Sequence, residues 1–238
     1  MEESAKKPSV STVYKIFPLT LAIFLIIFAY AFVRYNLLKA VDLQYVPMYV
    51  TNKVLALSAV VFIAMSYVLG PLRVFDKKLF TSKLVYRRCL GQIGYGCAVI
   101  HTMISMMLLT PYYYPGLYAA GRFTFFGQLH LLSGVLSMVI FTIVAVSSLP
   151  GIMQSIQSDL WHRIQRSGYI AFAFVLVHVY TLGVGGWADK TTWPGGLLPI
   201  SLIAFNIILF VMLVKIASLI ASGRISENSA SEVKTDTI

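Results

Sequence analysis

The stretch LHLLSGVLSMVIFTIVAV, Leu129 to Val146, contains no Asp, Glu, Lys or Arg. As a helix rising about 1.5 Å per residue, it spans close to the roughly 30 Å of a bilayer's hydrocarbon core. In lipid a helix is favoured because every backbone N–H and C=O is satisfied within the segment. Working outward, similar apolar runs occupy Ile16–Val33, Val50–Leu69, Cys89–Leu109 and Leu197–Ile220. A shorter run, Tyr169–Gly183, needs the polar lead-in from Trp161 to Gly168 to complete a crossing. The pattern predicts an all-α integral membrane protein, a six-transmembrane-helix bundle. The first run has no small-residue cleavage site before Arg34, so it reads as a retained helix and not a signal peptide.

Composition agrees. Of 238 residues, 58% are hydrophobic and 12% charged, and the mean hydropathy is +0.79. A soluble domain carries about 25% charged residues. So apolar a chain excludes a disordered protein, a coiled coil or a nucleic-acid-binding module, despite the formal net charge of +10. What matters in a membrane protein is which loops hold the cations. With both termini on the cytoplasmic side, 14 of the 19 Lys and Arg residues fall inside. The outer five are Arg34, Lys39, Lys53, Arg122 and Lys190. The positive-inside rule therefore predicts cytoplasmic termini. The organisation that follows is a cytoplasmic N-terminus (1–15), a six-helix membrane domain (16–221) and a disordered cytoplasmic tail (222–238), rich in Ser, Thr and Glu. Cys89 and Cys97 lie eight positions apart on one helix, about 12 Å, too far for a disulfide.

Ionisable residues inside spans are costly and mark candidate functional sites. His101 lies 13 residues beyond Arg88, about 20 Å along the third span, and His178 lies 12 residues beyond Arg166, about 18 Å along the fifth. Both spans run from inside to outside, which places the two imidazoles at one level in the outer half of the membrane. Two neutral imidazoles at equal depth suit the axial coordination of a haem iron; the competing reading is a pair of hydrogen-bonded core residues. A zinc-type site would want three or four ligands, and no acidic residue or cysteine falls near that depth. Gly91, Gly94, Gly96, Gly134 and Gly168 offer room either for a macrocycle or for close helix packing. His130, near the outer end of the fourth span, is a candidate to hydrogen-bond a haem propionate, bind a quinol head group or cap its helix. Arg122 is a candidate counter-charge for propionates or a snorkelling interface cation. His162 falls at the inner boundary and reads as solvated. Pro111-Tyr112-Tyr113-Tyr114-Pro115 and the pair Trp187 and Trp193 read as interface anchors or as a partner-docking surface.

Two stretches resemble a known family. Arg87-Arg88-Cys89-Leu90-Gly91 with His101 ten residues on, and Trp161-His162-Arg163-Ile164-Gln165-Arg166-Ser167-Gly168-Tyr169 ending in His178, resemble the third- and fifth-helix motifs of the ferric reductase-like transmembrane domain. The likeness is strongest to the haem-binding membrane subunits of bacterial methionine sulfoxide reductase systems. It extends more distantly to six-transmembrane epithelial antigen metalloreductases and NADPH oxidases. The resemblance implies that His101 and His178 are the ligands of an outer haem. Gln165 stands where two-haem relatives carry an inner histidine, so one haem b is expected.

The implied function is that of a membrane electron-transfer protein or oxidoreductase subunit in a prokaryotic cytoplasmic membrane. It would pass electrons from a cytoplasmic-side or quinol donor to an acceptor outside. Neither the short inner loops nor the tail is long enough for a nucleotide-binding domain. The donor is therefore a quinol, a flavin bound at the inner side, or a separate redox partner protein. The competing function is a non-redox transporter or scaffold whose histidines form a polar core.

Overall fold

The computed structural model describes residues 10–235, with side chains described for residues 14–223. Residues 1–9 of the expected cytoplasmic N-terminus and the last three residues of the expected tail lie outside the described residues. Among the described residues eight α-helices follow one another: α1 (Val10–Phe32), α2 (Thr51–Phe75), α3 (Lys77–Thr81), α4 (Arg87–Leu108), α5 (Phe125–Ser147), α6 (Pro150–Ser155), α7 (Ser158–Gly183) and α8 (Ile200–Thr235). A two-residue hairpin, β1 (Tyr118–Ala119) with β2 (Arg122–Phe123), precedes α5. Its turn residues Ala120 and Gly121 both have positive φ, 48° and 76°, as a two-residue turn matched to strand twist requires.

The helix limits have local causes. Asp76 accepts the Leu79 N–H at 2.8 Å and starts α3, and Thr124 Oγ1 accepts the Gly127 N–H at 3.0 Å and starts α5. Pro150 opens α6 at a position whose N–H would be unpaired anyway. Two π-helical turns, Val33–Leu38 and Val46–Val50, bracket the connection from α1 to α2. The second leads directly into Asn52 and Lys53; such turns shift the facing of the side chains that follow them.

Among the described residues, five segments are long and apolar enough to cross a membrane: Tyr14–Leu38, Leu43–Phe75, Phe125–Ser147, Ser158–Gly186 and Pro194–Gly223. The protein is thus all-α and multi-pass by the length and composition of its helices. The third expected crossing, α4, has 22 residues but is diluted by Arg87, Arg88, Gln92, His101 and three glycines, and does not join that set. α8 runs from Ile200 to Thr235.

α2 is the central helix: 67% of its apolar window is buried, against 22–28% for the other four. It packs against α4 on one side and α8 on another, while α5 packs along α7. Gly94 makes the α2–α4 approach possible, since a Cβ there would lie 2.6 Å from Ile63 Cγ1 and 2.9 Å from its backbone nitrogen. Gly168 does the same between α7 and α2, where the Tyr67 phenol fills the space a Cβ would take. Tyr67 is then locked by edge-on contacts to Tyr169 and Phe172, with ring centroids 5.0 and 5.5 Å away. A Cβ on Gly96 would meet nothing within 4 Å. The two helix pairs, α2–α4 and α5–α7, leave space between them, and the histidines lie there.

Candidate functional site

His101 on α4, His130 on α5 and His178 on α7 line one cavity of about 700 Å³, roofed by the loop that carries Tyr113 and Tyr114. Its size lies within the range of ordinary cofactor pockets, roughly 300–1,000 Å³. His101 and His178, expected at equal depth in the membrane, thus line the same cavity.

Each imidazole is held by its Nδ1. His101 Nδ1–H donates to Asn52 Oδ1 at 2.8 Å, with the Asn52 backbone oxygen at 3.2 Å. Asn52 is itself buried and fixed, donating from Nδ2 to Ser105 Oγ at 2.9 Å. Across the cavity, His178 Nδ1–H donates to the backbone oxygen of His130 at 2.9 Å, and His130 Nδ1–H donates to that of His178 at the same distance. Their rings stack with centroids 3.8 Å apart and planes 19° from parallel. A carbonyl oxygen only accepts, so in all three rings Nδ1 carries the proton and Nε2 keeps its lone pair. This is the tautomer in which a histidine binds a metal through Nε2 while its other nitrogen is oriented by a carbonyl.

Of the five glycines considered, Gly134 belongs to this cavity. A Cβ on it would lie 2.8 Å from His178 Nδ1, so only glycine leaves the ring its place. Gly91, Gly94 and Gly168 pack helix on helix.

Arg122 is exposed on β2 and is not among the residues lining the cavity. The cation that does line it is Lys53, with Nζ 4.9 Å from the ring centroids of both Tyr49 and Tyr114. Sequence reasoning assigned Lys53 only to the outer loops and passed over Asn52 and Ser105. Two adjacent polar residues just inside the apolar run from Val50 were the available signal. The tyrosine-rich loop is likewise more than an interface belt, since Tyr113 and Tyr114 form cavity wall while Tyr112 is exposed.

A second cavity, of about 600 Å³, lies at the opposite end of α4 and is lined by Arg87, Arg88, Gln92, Tyr95, Trp161, His162 and Gln165 among others. Gln165 donates from Nε2 to Ser148 Oγ at 2.9 Å and Ser147 Oγ at 3.1 Å, tying α7 to the end of α5. His162 is exposed beside Trp161, ring centroids 5.0 Å apart. Ile63 and Phe141 line both cavities.

No protein-family model matches the chain, and no match was found among curated proteins. Among the described residues no three His, Cys, Asp or Glu side chains converge as a chelating cluster. The donor set present, paired imidazoles facing one roomy cavity, suits a metal that brings its own equatorial ligands. A haem needs only axial nitrogens from the protein, a flat space and small residues against it. The Nε2 atoms and the cavity volume bear on the first two needs, whereas the space beside Gly134 is filled by the His178 ring.

Proposed function

We propose that the chain is a membrane haem b electron-transfer protein, or the membrane subunit of an oxidoreductase, of the ferric reductase-like kind. The observation that carries this reading is the common state of the three imidazoles: every Nδ1 tied to a carbonyl, every Nε2 left free, all in one cavity. His101 and His178 are the residues that would hold the haem, through their free Nε2 atoms. His130 and His178 stack face to face, an arrangement that prevents those two from gripping one iron from opposite sides. His101 on the other helix pair is therefore required.

The haem, when bound, supplies a one-electron centre whose potential follows from its ligands, burial and nearby charge. The protein's share is to fix the two rings, close the cavity with aromatic side chains and exclude water. On this reading α4 is the sixth crossing. Its exposed stripe of Ile100, Met103 and Met107 faces lipid, and both termini are cytoplasmic, in keeping with the distribution of cations. The histidine cavity then lies toward the outer face of a prokaryotic cytoplasmic membrane and the arginine-lined cavity toward the inner.

The inner cavity, with two guanidinium groups and aromatic walls, is the place for the donor, a flavin or a quinol, or for the approach of a partner protein. The acceptor, a partner protein or a small oxidant, meets the outer end. Absorbance of the purified full chain, oxidised and then reduced with dithionite, tests the reading. Sharp low-spin bands that disappear in His101→Ala and in His178→Ala are expected. A colourless preparation without iron, or bands that survive both changes, would reject it in favour of a non-redox bundle.

A further inference from the structure

Lys53 is an ammonium group enclosed on two sides by tyrosine faces and open to the histidine cavity. It lies two residues into α2, within the apolar segment Leu43–Phe75, where a cation is costly without a counter-charge. Contact with the faces of Tyr49 and Tyr114 offsets part of that cost. The rest calls for an anion, and no Asp or Glu is among the residues that line the cavity. Among the described lining residues Lys53 is also the sole Lys or Arg, so the cavity holds one unneutralised positive charge beside its imidazoles.

Its placement is determined by the fold. The π-helical turn Val46–Val50 delivers Asn52 and Lys53 side by side onto the cavity rim. Asn52 turns inward to hold His101 at 2.8 Å, while the next residue carries the charge. One turn of chain thus supplies both the residue that orients a ligating imidazole and a fixed cation beside it. Tyr114 joins the two, with its hydroxyl 3.4 Å from Asn52 Nδ2 and its ring face against Lys53. A group lying between the imidazoles with an acidic substituent directed at the Tyr49–Tyr114 side would meet this ammonium.

We infer that Lys53 is the anion site of the cavity and binds a carboxylate of the planar ligand held by His101 and His178. The inference rests on the haem reading, in which that carboxylate is a propionate, and it moves the counter-charge role from Arg122 to Lys53. The site selects an acidic ligand over the same ring system with its acids blocked.

The test uses the full chain purified from haem-starved cells in detergent, titrated separately with ferric haem and with haem dimethyl ester, following the Soret shift. Wild type is expected to bind haem at least about tenfold more tightly than the diester, as loss of one charge-assisted contact implies. Lys53→Met abolishes that preference by weakening haem alone, and Lys53→Arg restores it. Equal affinity of wild type for both porphyrins, or equal weakening of both by Lys53→Met, overturns the assignment. The wild-type comparison needs no variant, so it stands even where Lys53→Met does not fold. Binding of neither porphyrin rejects the haem reading itself, and the carboxylate assignment with it.

Discussion

His130 and His178 orient each other through main-chain oxygens: each imidazole Nδ1–H donates to the other residue's carbonyl at 2.9 Å, and the rings lie face to face at 3.8 Å. The oxygen that orients His178 is therefore backbone, and survives any substitution of the His130 side chain. His130→Ala is expected to keep the low-spin absorption while losing the stacked ring, with thermal stability lowered by about 1 kcal/mol or somewhat more. Spectra and melting of the purified variant check this. Loss of the bands would make His130 itself the ligand.

Gly134→Ala attacks the same ring from the other side. The added methyl lies 2.8 Å from His178 Nδ1, so the imidazole must move or the helices must part. Overpacking of this kind costs roughly 1–3 kcal/mol. Haem absorption should fall toward that of His178→Ala, and a fully retained spectrum would show that the ring has freedom the packing denies it.

Asn52→Leu removes the 2.8 Å acceptor of His101 Nδ1–H and leaves Ser105 without its amide partner. The expected destabilisation is about 1–3 kcal/mol, the cost of leaving buried polar groups unpaired. Removing an acceptor from Nδ1–H also makes the imidazole a weaker electron donor, so the haem midpoint potential should rise. Potentiometric titration reads that shift. A melting change with an unmoved potential would confine Asn52 to a structural role.

The glycines separate by what they face. Gly168→Ala would collide with the Tyr67 phenol and Gly94→Ala with Ile63, and each should lower stability by about 1–3 kcal/mol. Gly96→Ala meets open space and should lie within about 0.5 kcal/mol of wild type or gain slightly from helix propensity. Thermal melts of the three variants in one detergent make the comparison.

Asp189, in the loop before α8, accepts from the Thr191 hydroxyl at 2.5 Å and the Thr191 N–H at 3.0 Å, and these bonds hold its carboxyl below the usual carboxylate range. A depressed native pKa means the contribution is complete at neutral pH. It starts to fade as pH falls to the ordinary value of 3.8 and is lost only below the depressed one. Trp193, which donates to Gly186 O in the same loop, should show constant fluorescence from pH 7 down to about 5 and change below about 4. In Asp189→Asn that low-pH change should be absent.

Much of the architecture was readable because its cause is local. Apolar runs the length of a bilayer appear in the chain as written, and so do the two histidines, His101 and His178, that line one cavity. α4, expected as a crossing, falls short of the five apolar segments: Gln92, His101, Gly91 and Gly94 meet neighbouring helices, and residues of that kind lower its hydropathy. Arg122 and Lys53 show the limit most clearly. Both read as outer cations, and only the folded positions of Tyr49 and Tyr114 distinguish a caged ammonium from a solvated guanidinium. The mutual orientation of His130 and His178 was also invisible, because a backbone oxygen leaves no mark in residue identity.

Ile63 and Phe141 form wall in both cavities. Hydrocarbon and benzene ring have no exchangeable hydrogen to relay, so a proton finds no carrier on these two side chains. On the electron-transfer reading proposed above, reduction chemistry at either mouth would then draw its protons from the water on its own side.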